Sequence, residues 1–274
     1  GHTLERVRKV RNLVLVLVDG VRINPGTIGI PAWQNLDPDV IERIEIVRGP
    51  RSSLYGSDAI GGVVQIFTRR ATDGTTLSAR AGDGSFVTRD GAAGVHHRSQ
   101  YVRAGVDVAR LTSAGFPARV GGRDDSGHSN TSVNAYTGAK LGNLDVEIGH
   151  WQTRAKAEYY DFFLNPVSHD LFNSVTGVTL KAPLTSWWAM SIKPSEMYAE
   201  IDQNQSSDYS HTRRHTLDWQ NDFQLGRNDL LTVGAYRARE HTAALSFGDG
   251  YREQSDSWAA FVQNQWKPGN NSLL

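Results

Sequence analysis

From about Thr75 onward, apolar and polar side chains alternate along the chain with a period of two. Val102, Ala104, Val106 and Val108 are interleaved with Arg103, Gly105 and Asp107, and Leu144, Val146 and Ile148 with Asp145, Glu147 and Gly149. The same alternation recurs at Leu217, Trp219, Phe223 and Leu225, at Leu231, Val233 and Ala235, and at Trp258, Ala260 and Val262. Successive side chains of a strand leave opposite sides of a sheet, so each run predicts a strand with one apolar and one polar face. Turn clusters separate the runs: Gly82-Asp83-Gly84-Ser85, Gly142-Asn143, Gly226-Arg227-Asn228-Asp229 and Pro268-Gly269-Asn270-Asn271. The pattern predicts about ten antiparallel strands, with Ser272-Leu273-Leu274 opening another. Long polar connections at 111–130 and 155–174, and briefer ones at 203–213 and 241–256, alternate with tight turns. That asymmetry belongs to the two rims of an outer-membrane barrel. Trp151, Trp187, Trp188 and Trp266 near strand ends suit an interfacial aromatic girdle. A soluble β-sandwich alternates in the same way, but its strands are usually shorter than these runs.

Residues 12–70 follow a different pattern. Leu13–Val18 is a continuous run of Leu and Val, as expected of a strand buried on both faces. Asp19-Gly20 ends it with turn chemistry, and 24–31 is a loop holding Pro25, Gly26, Gly29 and Pro31. Asp37-Pro38 has the form of an N-cap followed by proline at the first helical position, predicting a short helix through Glu42. In the strand that follows, Ile44 and Ile46 fall on one side, for a core, and Arg43, Glu45 and Val47 on the other. Arg48-Gly49-Pro50 ends that strand. Pro50 can open a helical turn through Tyr55, and Gly56 can supply the left-handed stop. Gly61 and Gly62 precede the apolar strand Val63–Phe67, where they allow close backbone approach or positive φ.

Composition narrows the class. The 274 residues carry 29 basic and 29 acidic side chains, for a net charge of +0, which argues against nucleic-acid binding. There is no Cys, hence no disulfide framework and no thiolate metal site. No apolar run approaches the roughly 20 residues of a membrane helix, so a helical membrane protein is excluded while a β-barrel is not. Catalytic patterns are lacking. His96 and His97 point to opposite faces of a strand. His211 and His215 have the spacing of a helical zinc pair, but they flank a strand start and no Glu follows the first. Neither G-x-S-x-G nor a P-loop occurs, and no enzyme is expected.

"LVLVDGVRIN" at 15–24 and "IERIEIVRGPRSSLYGSDAIGGVVQIFTRR" at 41–70 resemble the plug domain of TonB-dependent outer-membrane receptors. The barrel stretches "SNTSVNA" at 129–135 and "RRHTLDWQNDFQL" at 213–225 resemble the cobalamin receptor branch of that family. The resemblance implies a partial α/β plug over residues 1–70 and the first part of a transmembrane β-barrel over 71–274, about ten of some 22 strands. It implies energy-coupled uptake of cobalamin across the bacterial outer membrane, with no bond chemistry. The alternatives are a siderophore transporter of the same fold and, from another class, a soluble β-rich binding or structural module. The expected partners are TonB, outer-membrane lipid and cobalamin or a similar large ligand, with no nucleic acid. The chain is expected to be a fragment, because residues 1–11 match nothing in the family pattern and the TonB-contacting segment is absent.

Residue roles follow from the resemblance. The plug loop 24–33 offers Asn24 and Thr27 for hydrogen bonds to ligand, with Gln34 just after it, and Trp33 to cover an apolar edge. Tyr159 and Tyr160 supply aromatic contacts from a barrel loop. Arg43, Glu45, Arg48 and Arg51 face the barrel wall through charge pairs and water, an interface that an inner-membrane motor can remodel. Gly61 and Gly62 are assigned to the plug-to-barrel join. No cofactor is required, but the family implies that calcium can order the outer loops, with Asp124, Asp125, Asp161 and Asp170 as its aspartates. Calcium takes about 6–8 oxygen ligands, often from separate segments.

Overall fold

A computed structural model describes residues 14–49 and 61–267, which form two sheets. The first is the plug sheet: β1 (Val14–Val18), β2 (Val21–Arg22), β3 (Ile41–Arg48) and β4 (Gly62–Thr68), in the order β2-β1-β4-β3. β1 and β4 run parallel, from Val14 opposite Gly62 to Val18 opposite Ile66, and β3 pairs antiparallel with β4. The β1–β2 hairpin turns on Asp19 (φ 46°) and Gly20 (φ 80°), both left-handed, the two-residue geometry whose twist matches that of flanking strands.

The wall is a ten-stranded antiparallel meander. It comprises β5 (Gly74–Gly84), β6 (Thr88–Arg98), β7 (Val102–Ser113), β8 (His128–Leu141), β9 (Leu144–Tyr160), β10 (Pro166–Pro183), β11 (Trp188–Gln203), β12 (Tyr209–Gly226), β13 (Asp229–Ser246) and β14 (Asp249–Trp266). Every strand pairs with its chain neighbours, and β5 and β14 are the edges. This is one continuous sheet, not the two face-packed sheets of a sandwich. Its last six strands have 16 to 18 residues. A membrane-spanning strand needs about 9–11, so these strands stand well clear of the hydrocarbon at one rim. For that reason the connections are shorter than expected: 114–127, 161–165, 204–208 and 247–248, all at the same rim. Most of 155–174 and 241–256 is strand.

The apolar residues of the alternating runs lie on the outside of the wall, where Val106, Val108, Ile148, Leu217, Trp219, Trp258 and Val262 are exposed. The inner face carries the plug. Val16, Val18, Val21, Ile23 and Ile66 of the plug share one core with Trp151, Val175, Met197 and Ala199 of the wall. Full burial of such side chains contributes about 1.5–3 kcal/mol each, so the plug is held by apolar contact as well as by polar groups. Leu15, Leu17 and Val63 form a smaller cluster on the other side of the plug sheet.

Three expectations need correction. Asp37-Pro38 opens no helix through Glu42. A single 3-10 turn covers Pro38–Val40, capped by Asp37, and β3 begins at Ile41. Among the described residues the plug contains a second such turn, Trp33–Asn35, and no α-helix. Ile44 and Ile46 are exposed, because β3 is the edge of the plug sheet farthest from the shared core. Trp151 is 3% exposed and packs inside against the plug, so it belongs to no girdle. Trp187 and Trp188 do cluster with Phe223 at the opposite rim from the long connections. Arg51, Tyr55, Gly56 and Ser272–Leu274 lie outside the described residues.

Gly62 has φ +144°, and a Cβ there would meet the Val47 carbonyl oxygen at 2.5 Å. It therefore lets β4 approach β3 where β4 begins. The crossing to the wall is made by residues 69–73 between β4 and β5, and Gly61 and Gly62, assigned to the join, stand at the start of β4, the strand that leads into it.

Candidate functional site

The plug meets the inner face of the wall through two polar clusters at different heights. The lower one starts from the β1–β2 turn. The Asp19 carboxylate accepts from the Thr68 N–H (3.0 Å), the Thr68 hydroxyl (2.7 Å) and Arg70 Nη2 (3.1 Å). Arg70 also donates to Glu147 Oε1 of β9 (3.2 Å), and Glu147 Oε2 accepts from Arg103 of β7 (2.6 Å). Lys193 of β11 donates to the Asp19 carbonyl. Asp19, Arg70, Glu147 and Lys193 border a cavity of about 460 Å³ between plug and wall, shared with Lys181, Asp218 and Gln220.

The upper cluster holds the loop from Asn24 to Asp39. Arg214, on the inner face of β12 and 3% exposed, donates to the carbonyls of Arg22 (3.1 Å) and Asn24 (2.9 Å) and pairs with Glu240 of β13. Gly26 passes so close to Glu240 that a Cβ would collide with its carboxylate. The Asn35 carbonyl accepts from Asn130 Nδ2 (3.1 Å) and Thr153 Oγ1 (3.2 Å). The Asp39 carboxylate accepts from Arg80 of β5 (2.6 Å). Deeper in the wall, His96 sits between Asp107 (2.8 Å) and the Tyr136 hydroxyl (3.1 Å), and that hydroxyl accepts from the Ala71 N–H.

The expected ligand residues divide between two roles. Asn24 is buried, with its side chain accepting from the Val16 N–H (2.8 Å) and donating to the carbonyls of Val14 and Gly29 (both 3.1 Å). Its hydrogen bonds are spent on shaping the loop. Thr27 is bonded to Ser210 (2.6 Å) and Thr212 (3.4 Å) of β12, fastening the loop tip to the wall. Trp33 and Gln34 are exposed, as are Ile28 and Ile30 beside them. Tyr159 faces inward, donating to Gln203 (2.7 Å) and packing on His169 (5.1 Å between rings). Between Thr153, which touches the plug, and Tyr159 lies about 20 Å of strand, so these side chains line a vestibule above the plug. Tyr160, the next residue, points to the other face, where its hydroxyl donates to the Asp124 carbonyl (2.8 Å) and fixes the loop 114–127.

The four aspartates lie in separate settings among the described residues. Asp161 accepts from the Phe163 and Asn165 N–H groups (2.8 Å each) and from Asn165 Nδ2 (3.0 Å). Those bonds, the Asn165 side chain foremost, hold its carboxyl below the ordinary value. Asp170 is paired in register with Lys156 and Asp202, on the outer face of β10. Asp124 and Asp125 are on the first long connection, and among the described residues no three of these four aspartates lie within ligand distance of one another. Within the same residues the one group close enough for an ion is Glu200, Asp202 and His211, on the outer face of β11 and β12.

Of the charges expected to meet the wall, the described Arg43, Glu45 and Arg48 make no ion pair with its ten described strands. Arg43 pairs with Glu45 (2.9 Å) and Glu42 (3.6 Å) and lies over the Phe67 ring (3.6 Å), all within the plug sheet. Arg48 closes β3 opposite Gly62, likewise within the plug. β3 is the strand farthest from the wall, and the contacts come instead from the turn, loop and crossover segments: Asp19, Thr27, Asn35, Asp39 and Arg70. These residues were missed in the sequence. A signal existed in the inward polar set Asn130, Ser132 and Asn134, which alternates with the outward-facing Val133 and Ala135 of β8.

The family model described as "TonB-dependent Receptor Plug Domain" matches residues 5–63, starting earlier than the residue 12 expected from the sequence. The chain is 28% identical over 271 residues to the vitamin B12 transporter BtuB of Photobacterium profundum, covering 93% of this chain and 43% of that relative. Its fold matches FpvA of P. aeruginosa, solved bound to heterologous pyoverdines (TM-score 0.76, 14% identity, 93% of this chain and 43% of that one). It also matches the siderophore receptor PirA of Pseudomonas aeruginosa (TM-score 0.70, 19% identity, 92% and 45%). The chain thus spans less than half the length of these relatives. A plug sheet seated on the inner face of a ten-stranded meander, with those matches, makes the chain similar to the plug and part of the barrel wall of TonB-dependent outer-membrane receptors.

Proposed function

We propose that this chain forms the plug and wall of a receptor that captures cobalamin at the cell surface and passes it inward with energy supplied through TonB. The observation that carries the reading is the exposed apolar tip Ile28, Ile30 and Trp33 on a loop fastened to the wall beneath it. A rigid platform with an aromatic edge suits a large ligand with an apolar rim, since little ordering is required on binding. Gln34 on the plug, with Tyr159, His169 and Gln203 on the wall, adds polar groups around it. The similarity to a vitamin B12 transporter across nearly the whole chain supports cobalamin over other large ligands. The likeness to siderophore receptors, at 19% identity or less, extends to the fold alone.

Competition binding on the receptor produced from its complete reading frame tests this. Cyanocobalamin should bind saturably, and excess ferric enterobactin should not displace it. Saturable binding of the ferric siderophore with none of cobalamin would replace this reading with siderophore uptake.

A further inference from the structure

The outer face of the wall carries a groove of about 590 Å³ that the transport reading does not use. Cross-strand register arranges its side chains in two rows. Tyr198, Arg213, His241 and Gln254 lie opposite one another across β11–β14, and His211 and Arg252 belong to the next row toward the long connections. Glu253 is the one carboxylate among its lining residues.

The charges here differ from those just below. One row nearer the apolar band, the outward charges neutralise each other: His215 with Glu196 (3.3 Å) and Arg239 with Asp256 (2.9 Å). In the groove His211 is likewise turned to a carboxylate, Asp202 (2.8 Å). Arg213 and Arg252 are exposed and have no carboxylate partner among the described residues. Arg213 instead rests on the Tyr198 ring (5.0 Å), which holds its planar fork on the groove wall. Two guanidiniums with no ion pair among the described residues, and the His241 imidazole on the strand between them, form a site for a bidentate oxyanion such as a phosphate.

The height of the groove says where that phosphate comes from. The aromatic cluster at Trp188 and Phe223 marks one edge of the apolar band, and Tyr198 lies ten residues farther along β11 (198 − 188). That is about 33 Å of strand, or about 23 Å of height at a tilt of ~45°. The apolar band of outer-membrane barrels is about 25 Å tall. The groove therefore opens where hydrocarbon gives way to headgroups, on the side of the long connections, with the apolar row Ile192, Trp219, Ala235 and Ala260 below it. We propose that the groove is a docking site for the phosphate-bearing headgroup of an outer-leaflet glycolipid, held by Arg213 and Arg252 while its acyl chains lie along the apolar band.

The receptor from its complete reading frame, in detergent micelles, should be titrated with bisphosphorylated lipid A and bound lipid counted by native mass spectrometry. The wild type should bind it at least about tenfold more tightly than dephosphorylated lipid A. The double substitution Arg213→Gln with Arg252→Gln should lower affinity for the phosphorylated form by about tenfold, while Lys140→Gln near the opposite rim changes nothing. Equal binding of the two lipids to the wild type would overturn the proposal whether or not the double variant folds. So would undiminished binding by a folded double variant, or displacement of the lipid by millimolar inorganic phosphate, which would mark a soluble-anion site.

Discussion

Arg214 donates to the main-chain carbonyl of Asn24 at 2.9 Å across 190 residues of sequence. It is a buried tie between the wall and the loop that carries the exposed apolar tip. The guanidinium also reaches the Arg22 carbonyl and pairs with Glu240, so both terminal nitrogens of a buried cation have acceptors. Removing one partner of such a group is costly, because what remains is a charge or a carbonyl without water.

Arg214→Met should therefore destabilise the seating of the loop by about 3–5 kcal/mol. Hydrogen exchange of the amides of 22–30 should accelerate sharply while the amides of β6 and β7 keep their protection. The double substitution with Glu240→Gln should recover part of the loss, since it removes the carboxylate left unpaired. Full additivity of the two substitutions would show that the pair is not coupled.

Asn24→Ala removes a side chain that accepts from one backbone group and donates to two others in a buried loop. Each orphaned buried group costs about 1–3 kcal/mol. Limited proteolysis should then cut within 24–33 where the wild type resists. Ligand affinity should fall through loss of loop order, and a protease pattern identical to wild type would contradict this.

Trp33 is 45% exposed, and its side chain stands at the surface of the loop. Trp33→Ala should leave thermal stability within about 0.5 kcal/mol of wild type, as for most surface substitutions. On the proposed reading, cobalamin affinity should nevertheless drop by about tenfold, from lost aromatic contact. Calorimetry of ligand binding alongside thermal melts separates the two effects.

Asp37 caps the 3-10 turn by accepting from the Asp39 N–H (2.9 Å). Burial pushes its carboxyl above the ordinary value, and the Asp39 N–H pulls in the opposite direction without cancelling it. A carboxyl raised on folding favours the protonated form. Its contribution is fully present below the ordinary pKa and is lost as pH rises through the raised one. Asp37→Asn keeps an acceptor for the Asp39 N–H and removes the charge. The variant should be more stable than wild type at pH 7 in urea unfolding, with the difference vanishing at acid pH. Equal stability at pH 7 would mean the buried charge carries no penalty.

Much of this architecture was legible, and the misses have specific causes. Strand count and turn positions followed from alternation, because a barrel wall must present apolar side chains to one side throughout. The same alternation contained the answer for Trp151. Leu144, Val146 and Ile148 are the outward set of β9, so an odd-numbered Trp151 falls on the inward face with Thr153 and Ala155. Tyr159 and Tyr160 part company for the same reason. The exposure of Ile44 and Ile46 could not be read this way, because it depends on β3 taking the edge position, a matter of strand order. The separation of Asp161 from Asp170 was also hidden, since most of the stretch taken as one long loop is strand. Asn24 and Thr27 were legible as polar loop residues, but only packing shows that their hydrogen bonds are already used.

The short crossover at 69–73 limits what motion the plug can make. Fully extended, it reaches about 20 Å at most. Arg70 within it grips Asp19 on one side and Glu147 on the other. A pull on the plug therefore cannot draw β4 free of the lumen without unravelling strand. The β4 end of the plug sheet thus stays tethered beside β5, while β2 and the β1–β2 turn are held away from this tether by β12 and β11. The chain's own connectivity thus keeps one side of the plug within a short reach of the wall.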